Sequence, residues 1–159
     1  MKLKRVLIVA FAACGVVAAA AVATPGLLVT ATTPVRGTIA KPFQANVKDV
    51  VKLKTKGPIE VADQVLTLQP GGHTGWHSHP GPVLVVIKSG TFTLYNAYDK
   101  DCKGQVFETG SAFVDPGNGY VHIGRNEGTT PVELSATYLL PVGAGPRNDV
   151  TPSPGNCPF

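Results

Sequence analysis

Beyond its first two dozen residues this chain has no segment with a helical period, and no part of it repeats. The first absence excludes a helix bundle and leaves strands as the material of the fold. The second excludes solenoids and propellers. Excess charge is also scarce. The formal net charge is +4, but Lys2, Lys4 and Arg5 account for three of the 14 basic residues, and the other 11 face 10 acidic ones. Lys52, Lys54 and Lys56 alternate with no aromatic residue between them. They read as one solvated strand face, so nucleic acid is excluded as a partner. Histidine is scarcest where it matters: there are four in 159 residues, and two stand one residue apart.

The N-terminus carries a basic start, an unbroken apolar run from Val6 to Ala23, and the small residues Ala21-Val22-Ala23 before Thr24-Pro25-Gly26. Residues 1–23 therefore read as a secretory signal peptide. The run is also at the lower limit for spanning a bilayer, so an uncleaved anchor helix is the alternative. Cys14 follows Phe11-Ala12-Ala13, a weak lipoprotein-like site, but the apolar run continues past it. The expected location is secreted or extracytoplasmic, with a membrane as partner only if the leader is retained. Export decides how the other cysteines read. Cys102 and Cys157 form an even pair in an oxidising compartment, where a disulfide is the default. It would tie the C-terminal tail to the loop NAYDKDCKG; two free thiols are the alternative.

Eighteen glycines and 14 prolines punctuate the remainder into short pieces. Strand-like runs lie at Asn46–Leu53, Gln64–Gln69, Val83–Lys88, Thr91–Asn96, Gln105–Glu108, Ala112–Val114, Tyr120–Arg125 and Val132–Leu140. Ser89-Gly90 reads as a hairpin turn, and PGG at 70–72, HPGP at 79–82 and DPGNG at 115–119 as breakers. The expected fold class is all-β, an antiparallel barrel or sandwich. Four segments are expected: the leader 1–23, an extended arm 24–45 on the barrel edge, a barrel domain 46–141, and a Pro/Gly-rich surface tail 142–159 without regular structure.

In a strand, residues i and i+2 share a face, so His77 and His79 can aim two imidazoles at one point. His122, in YVHIG, belongs to a separate strand-like run, with Val121 and Ile123 facing the other way. Three neutral imidazoles suit Fe, Zn, Mn, Ni or Cu and leave coordination positions open. Taken alone, a His-x-His pair is also compatible with a satisfied core or surface pair.

The flanking residues carry a resemblance. Gly71, five residues, His77-Ser78-His79, and later Gly90, resemble the first cupin motif. Gly110, five residues, Pro116, then Gly119, two residues, His122, three residues and Asn126 resemble the second, with one extra residue between Pro116 and Gly119. The chain resembles a small single-domain cupin from about Gln64 to Leu140, which implies a jelly-roll β-barrel. The resemblance also implies a divalent metal on His77, His79 and His122. One departure stands out: the glutamate that follows His-x-His in cupins is missing, and Val83 holds its place. Glu108 and Asp115, on other strands, are the carboxylates available to replace it.

A site without that carboxylate keeps the full charge of its ion and favours an anionic or chelating ligand. Cupins similar to cysteine dioxygenase work with three histidines on iron. The resemblance therefore implies a dioxygenase-like oxidoreductase acting on a small molecule. The alternative is a barrel that binds a metal or small ligand without turnover. A second copy of the chain, as a homodimer, is the other partner this reading admits. His73 reads as an exposed loop residue, and Trp76 as rim or outer packing. Tyr95, Tyr120 and Tyr138 read as core or barrel-mouth aromatics.

Overall fold

The computed structural model describes residues 25–159; the expected signal peptide or anchor helix at 1–23 lies outside the described residues. Among these, no helix is long and apolar enough to cross a membrane. The strands in chain order are β1 (Leu27–Ala31), β2 (Val35–Ile39), β3 (Gln44–Val47), β4 (Val51–Lys54), β5 (Ile59–His73), β6 (His77–Ser78) and β7 (Val83–Ser89), followed by β8 (Thr91–Asn96), β9 (Gln105–Glu108), β10 (Ala112–Asp115), β11 (His122–Arg125), β12 (Val132–Leu140) and β13 (Asn148–Asp149).

The spine of the fold is β5. It pairs with β12 from Val132↔Leu68 to Leu140↔Glu60, and takes β1 and β2 on its other edge. Beyond β12 lie β7 and then β10. At its far end β5 meets β11 at Arg125↔His73; β11 in turn carries β8 and β9 on one side and β6 and β13 on the other. The sheet thus bends back on itself into a nearly closed jelly-roll barrel. Its interior follows from the period of two: Val83, Val85 and Ile87 of β7 and Val132, Leu134, Ala136, Tyr138 and Leu140 of β12 are buried. Each large aliphatic side chain so buried contributes about 1.5–3 kcal/mol.

Several expectations need correction. Ser89-Gly90 does not make a hairpin, because β7 pairs with β12 and β10 while β8 pairs with β11 and β9. Gly90 instead turns the chain from one half of the barrel to the other. It sits at φ +77°, where a Cβ would lie 2.7 Å from the Pro131 carbonyl oxygen. The run Asn46–Leu53 is two strands, β3 and β4, joined through Asp49 at φ 59° and forming their own two-stranded sheet. Proline and glycine at 70–72 do not end β5, which continues to His73 with Gly71 at positive φ, so His73 closes a strand and is not in a loop. The expected arm does lie on the barrel edge, but as regular structure: its described part supplies β1 and β2, which pair with β5. The tail contains β13, which pairs with β6.

Candidate metal centre

Two backbone arrangements bring the histidines together. His77 of β6 stands directly opposite His122 of β11, so the two rings share a face as cross-strand neighbours. His79 follows two residues later, at the start of the breaker HPGP at 79–82. That loop and DPGNG pack backbone to backbone: a Cβ on Gly117, at φ +67°, would lie 2.2 Å from the carbonyl carbon of Gly81. Only glycine permits both the left-handed backbone and the close approach. The ring centroids lie 4.4 Å (His77–His122), 4.8 Å (His77–His79) and 5.1 Å (His79–His122) apart. All three side chains are buried, and one nitrogen from each lies within 4.8 Å of the others.

The second nitrogen of each ring shows which atom is free. His77 Nδ1 lies 2.8 Å from the Gly75 carbonyl, His79 Nδ1 2.7 Å from that of Pro146, and His122 Nδ1 3.1 Å from that of Tyr120. A carbonyl only accepts, so each Nδ1 carries the proton and each Nε2 keeps its lone pair. Burial holds all three rings uncharged. It lowers His77 well below the ordinary imidazole range and pushes His79 and His122 down to about 4. The Arg147 guanidinium adds to this on each ring.

A cavity of about 50 Å³ opens beside the rings, with Val83, Val85, Phe113 and Leu134 on its apolar wall. A second, of about 150 Å³, lies towards Gln64, Pro146 and Arg147. Tyr138 lines both. Its hydroxyl donates to Gln64 Oε1 at 3.1 Å, and burial raises it to about 12, so it stays a donor at neutral pH. Of the other three tyrosines, Tyr95 donates to Glu127 Oε1 at 2.8 Å, and Tyr120 packs on Tyr98.

The two alternative carboxylates part company. Glu108 is exposed on β9. Asp115 is 2% exposed, and its Oδ2 lies 3.1 Å from His122 Nδ1. Because the Nδ1 proton points at Tyr120, that oxygen accepts no hydrogen bond among the described residues, while Oδ1 accepts from the Gly117 N–H at 2.8 Å. Burial raises Asp115, against the Gly117 hydrogen bond. Asp115 therefore flanks His122 on the side away from Nε2 and is not among the converging donors. Val83, 1% exposed, lines the same cavity as the three rings. His73 lies outside the cluster and accepts the Gly75 N–H on Nδ1 at 3.1 Å.

Behind the ligand face is a second core. Trp76 and Ile123, the chain neighbours of His77 and His122, are buried with Cys157, so of the two expected places Trp76 takes outer packing and not the rim. Cys102 and Cys157 form the disulfide. Asn126, at the end of the second motif, is a structural pin: its side-chain amide donates to the Leu68 and Thr130 carbonyls, and its Oδ1 accepts from Gly128. The sequence reading missed the carbonyls behind the rings. Those of Gly75 and Tyr120 each lie two residues before their histidine, a spacing that was available. Nothing local marked Pro146.

Residues 64–139 match the family described as the cupin domain. No functionally curated protein matches the sequence. Among solved structures, a conserved protein with a double-stranded β-helix domain from Klebsiella pneumoniae is similar at 18% identity and a TM-score of 0.48, over 70% of this chain and 86% of that one. The cupin domain of an XRE-family transcriptional regulator from Enterobacter cloacae shares 20% identity at a TM-score of 0.42, over 51% and 82%. A cupin superfamily protein from Desulfitobacterium hafniense shares 11% at 0.44, over 69% and 79%.

Proposed function

This chain is a small single-domain cupin barrel, and from that premise we propose that it is an extracytoplasmic, metal-dependent oxidoreductase of dioxygenase-like type. His77, His79 and His122 would hold a divalent ion through Nε2, and the substrate is a small chelating or anionic molecule. One observation carries the reading: three buried, uncharged imidazoles converge, each with its other nitrogen committed to a carbonyl. That donor set fits a first-row transition metal, since neutral imidazole suits iron, copper, nickel and zinc alike. A metal bound there supplies Lewis-acid or electron-transfer chemistry.

The remaining residues set what reaches it. The apolar wall of Val83, Val85, Phe113 and Leu134 excludes water from one side of the site. The two cavities, about 50 and 150 Å³, limit the ligand to a small molecule. Tyr138 offers a hydroxyl, and Arg147 a positive charge, towards an anionic group. With three neutral ligands the ion keeps its whole charge, which favours an anion in the open positions. The apolar leader and the Cys102–Cys157 bridge support an exported protein.

A second reading, metal or ligand binding without turnover, is favoured by Val83, which leaves the site without the carboxylate its family pattern supplies. Elemental analysis of protein exported by its own host tests the first step. One ion per chain, lost in a His77→Ala/His122→Ala variant, is expected; metal at background in both proteins would defeat the oxidoreductase reading and leave only a barrel that binds a small ligand without metal. Val83→Glu separates them. It should raise metal affinity in either case, but it alters oxygen consumption with small carboxylates only if the three-histidine site turns over.

A further inference from the structure

His79 differs from its two partners in where its support comes from. His77 and His122 lean on carbonyls of their own turns, two residues back, whereas the acceptor for His79 is Pro146, 67 residues away in sequence. Resting on the metal-site reading above, we propose that residues 146–150 are a positioning strap for His79, and that the Cys102–Cys157 disulfide, by tethering the strap, decides whether His79 serves as the third ligand.

The strap lies along the ligand-bearing segment. Asn148 pairs with Ser78 and Asp149 with His77; Val150 N–H donates to the Trp76 carbonyl at 3.0 Å, and Arg147 Nη1 to that of Thr74 at 3.0 Å. A two-residue strand has little stability of its own. Upstream, the Gly143 N–H donates to Glu60 Oε1 at 3.1 Å and Arg36 to the Ala144 carbonyl, which hold the approach to the strap, and the strap's other end is fixed downstream. Asn156 Nδ2 donates to the carbonyls of Asn96 and Asp99, and Cys157 is bonded to Cys102 in the same loop. Cys157 also packs with Trp76 and Ile123, the residues beside two of the ligands. Cys102 is partly exposed, so a small dithiol can reach the bridge. The dithiol gives up two electrons and two protons; the S–S bond breaks, Cys102 and Cys157 become thiols, and the dithiol closes to its own disulfide. The strap then leaves, the Pro146 carbonyl goes with it, and the His79 ring no longer has one preferred tautomer. The site falls from three positioned ligands to two.

The test is ¹⁵N NMR of the imidazoles in metal-free, full-length protein, oxidised and then reduced with a dithiol, with a Cys102→Ser/Cys157→Ser variant in parallel. In the oxidised protein all three rings should carry the proton on Nδ1. On reduction His79 should become a mixture of tautomers while His77 and His122 stay unchanged. Zinc affinity, from competition with a chelator, should fall about 10- to 100-fold, as for loss of a ligand's supporting partner. A His79 that keeps Nδ1–H in reduced protein, with zinc affinity within twofold, would overturn the proposal. So would simultaneous loss of all three tautomers, which would mean that the bridge holds the barrel and not the strap. If oxidised protein binds no zinc, the metal reading fails, and the NMR result still decides the strap.

Discussion

Protonation of the three ligand rings is opposed by burial, and this gives the site a pH signature. Their folded-state values lie below the ordinary imidazole value of 6.5, at about 4 for His79 and His122. An unfolded chain therefore binds more protons between about pH 4 and 6.5, and stability rises with pH across that window. The melting temperature of metal-free protein is expected to fall steadily from pH 7 to pH 4. The fall should be shallower in a His77→Asn/His79→Asn/His122→Asn variant, as read by circular dichroism. Asp115 supports a second prediction at this scale. Its buried carboxylate stands 3.1 Å from His122 Nδ1 and favours positive charge at the site. Asp115→Asn should weaken zinc binding by about tenfold through loss of one nearby negative charge, since no hydrogen bond to His122 is removed. An unchanged chelator-competition curve would remove Asp115 from the site.

Among the elements, the packed pair of breaker loops matters most for convergence. Gly117→Ala meets both a left-handed backbone and the Gly81 carbonyl group at 2.2–2.3 Å, whereas Gly110→Ala, at φ +85°, meets open space. Gly110→Ala should cost about 1–2 kcal/mol in urea unfolding, the left-handed penalty alone. Gly117→Ala should cost more and should also weaken metal binding, because moving the loops parts His79 from His122. Equal costs would show that the two loops adjust freely. The elements also show what was legible beforehand. VELSATYLL announced its inward face by alternation, and the spacing of glycines around His77, His79 and His122 announced the site; the continuous apolar run of VLVVIKS marked a strand but not which face it buries. Gly90 misled because a Ser-Gly turn looks the same whether the flanking strands pair or part; that choice depends on β12 and β11, which lie far along the chain. The short β6 and β13 were invisible for a related reason. Two residues have no period, and only pairing defines them.

For the whole molecule, the Cys102–Cys157 bridge spans 55 residues, including β9, β10, β11 and β12. Closing a loop of that length stabilises by about 4 kcal/mol on the chain-entropy account. Reduction should lower the denaturation midpoint accordingly. Alkylation followed by mass spectrometry of exported protein should find neither Cys102 nor Cys157 free. Two modifiable thiols in freshly isolated material would contradict the bond.

The location of Pro146 also bears on biosynthesis. A ribosome that has reached Leu140 has made every long strand of the wall, yet the carbonyl that orients His79, the strand that covers β6 and the second half of the bridge are still to come. On the proposed reading, the three-histidine centre is therefore completed only once Pro146 and Cys157 have emerged, after the long strands of the wall. Were the chain exported, as proposed, and threaded unfolded, the ion would then be one supplied by the compartment of arrival.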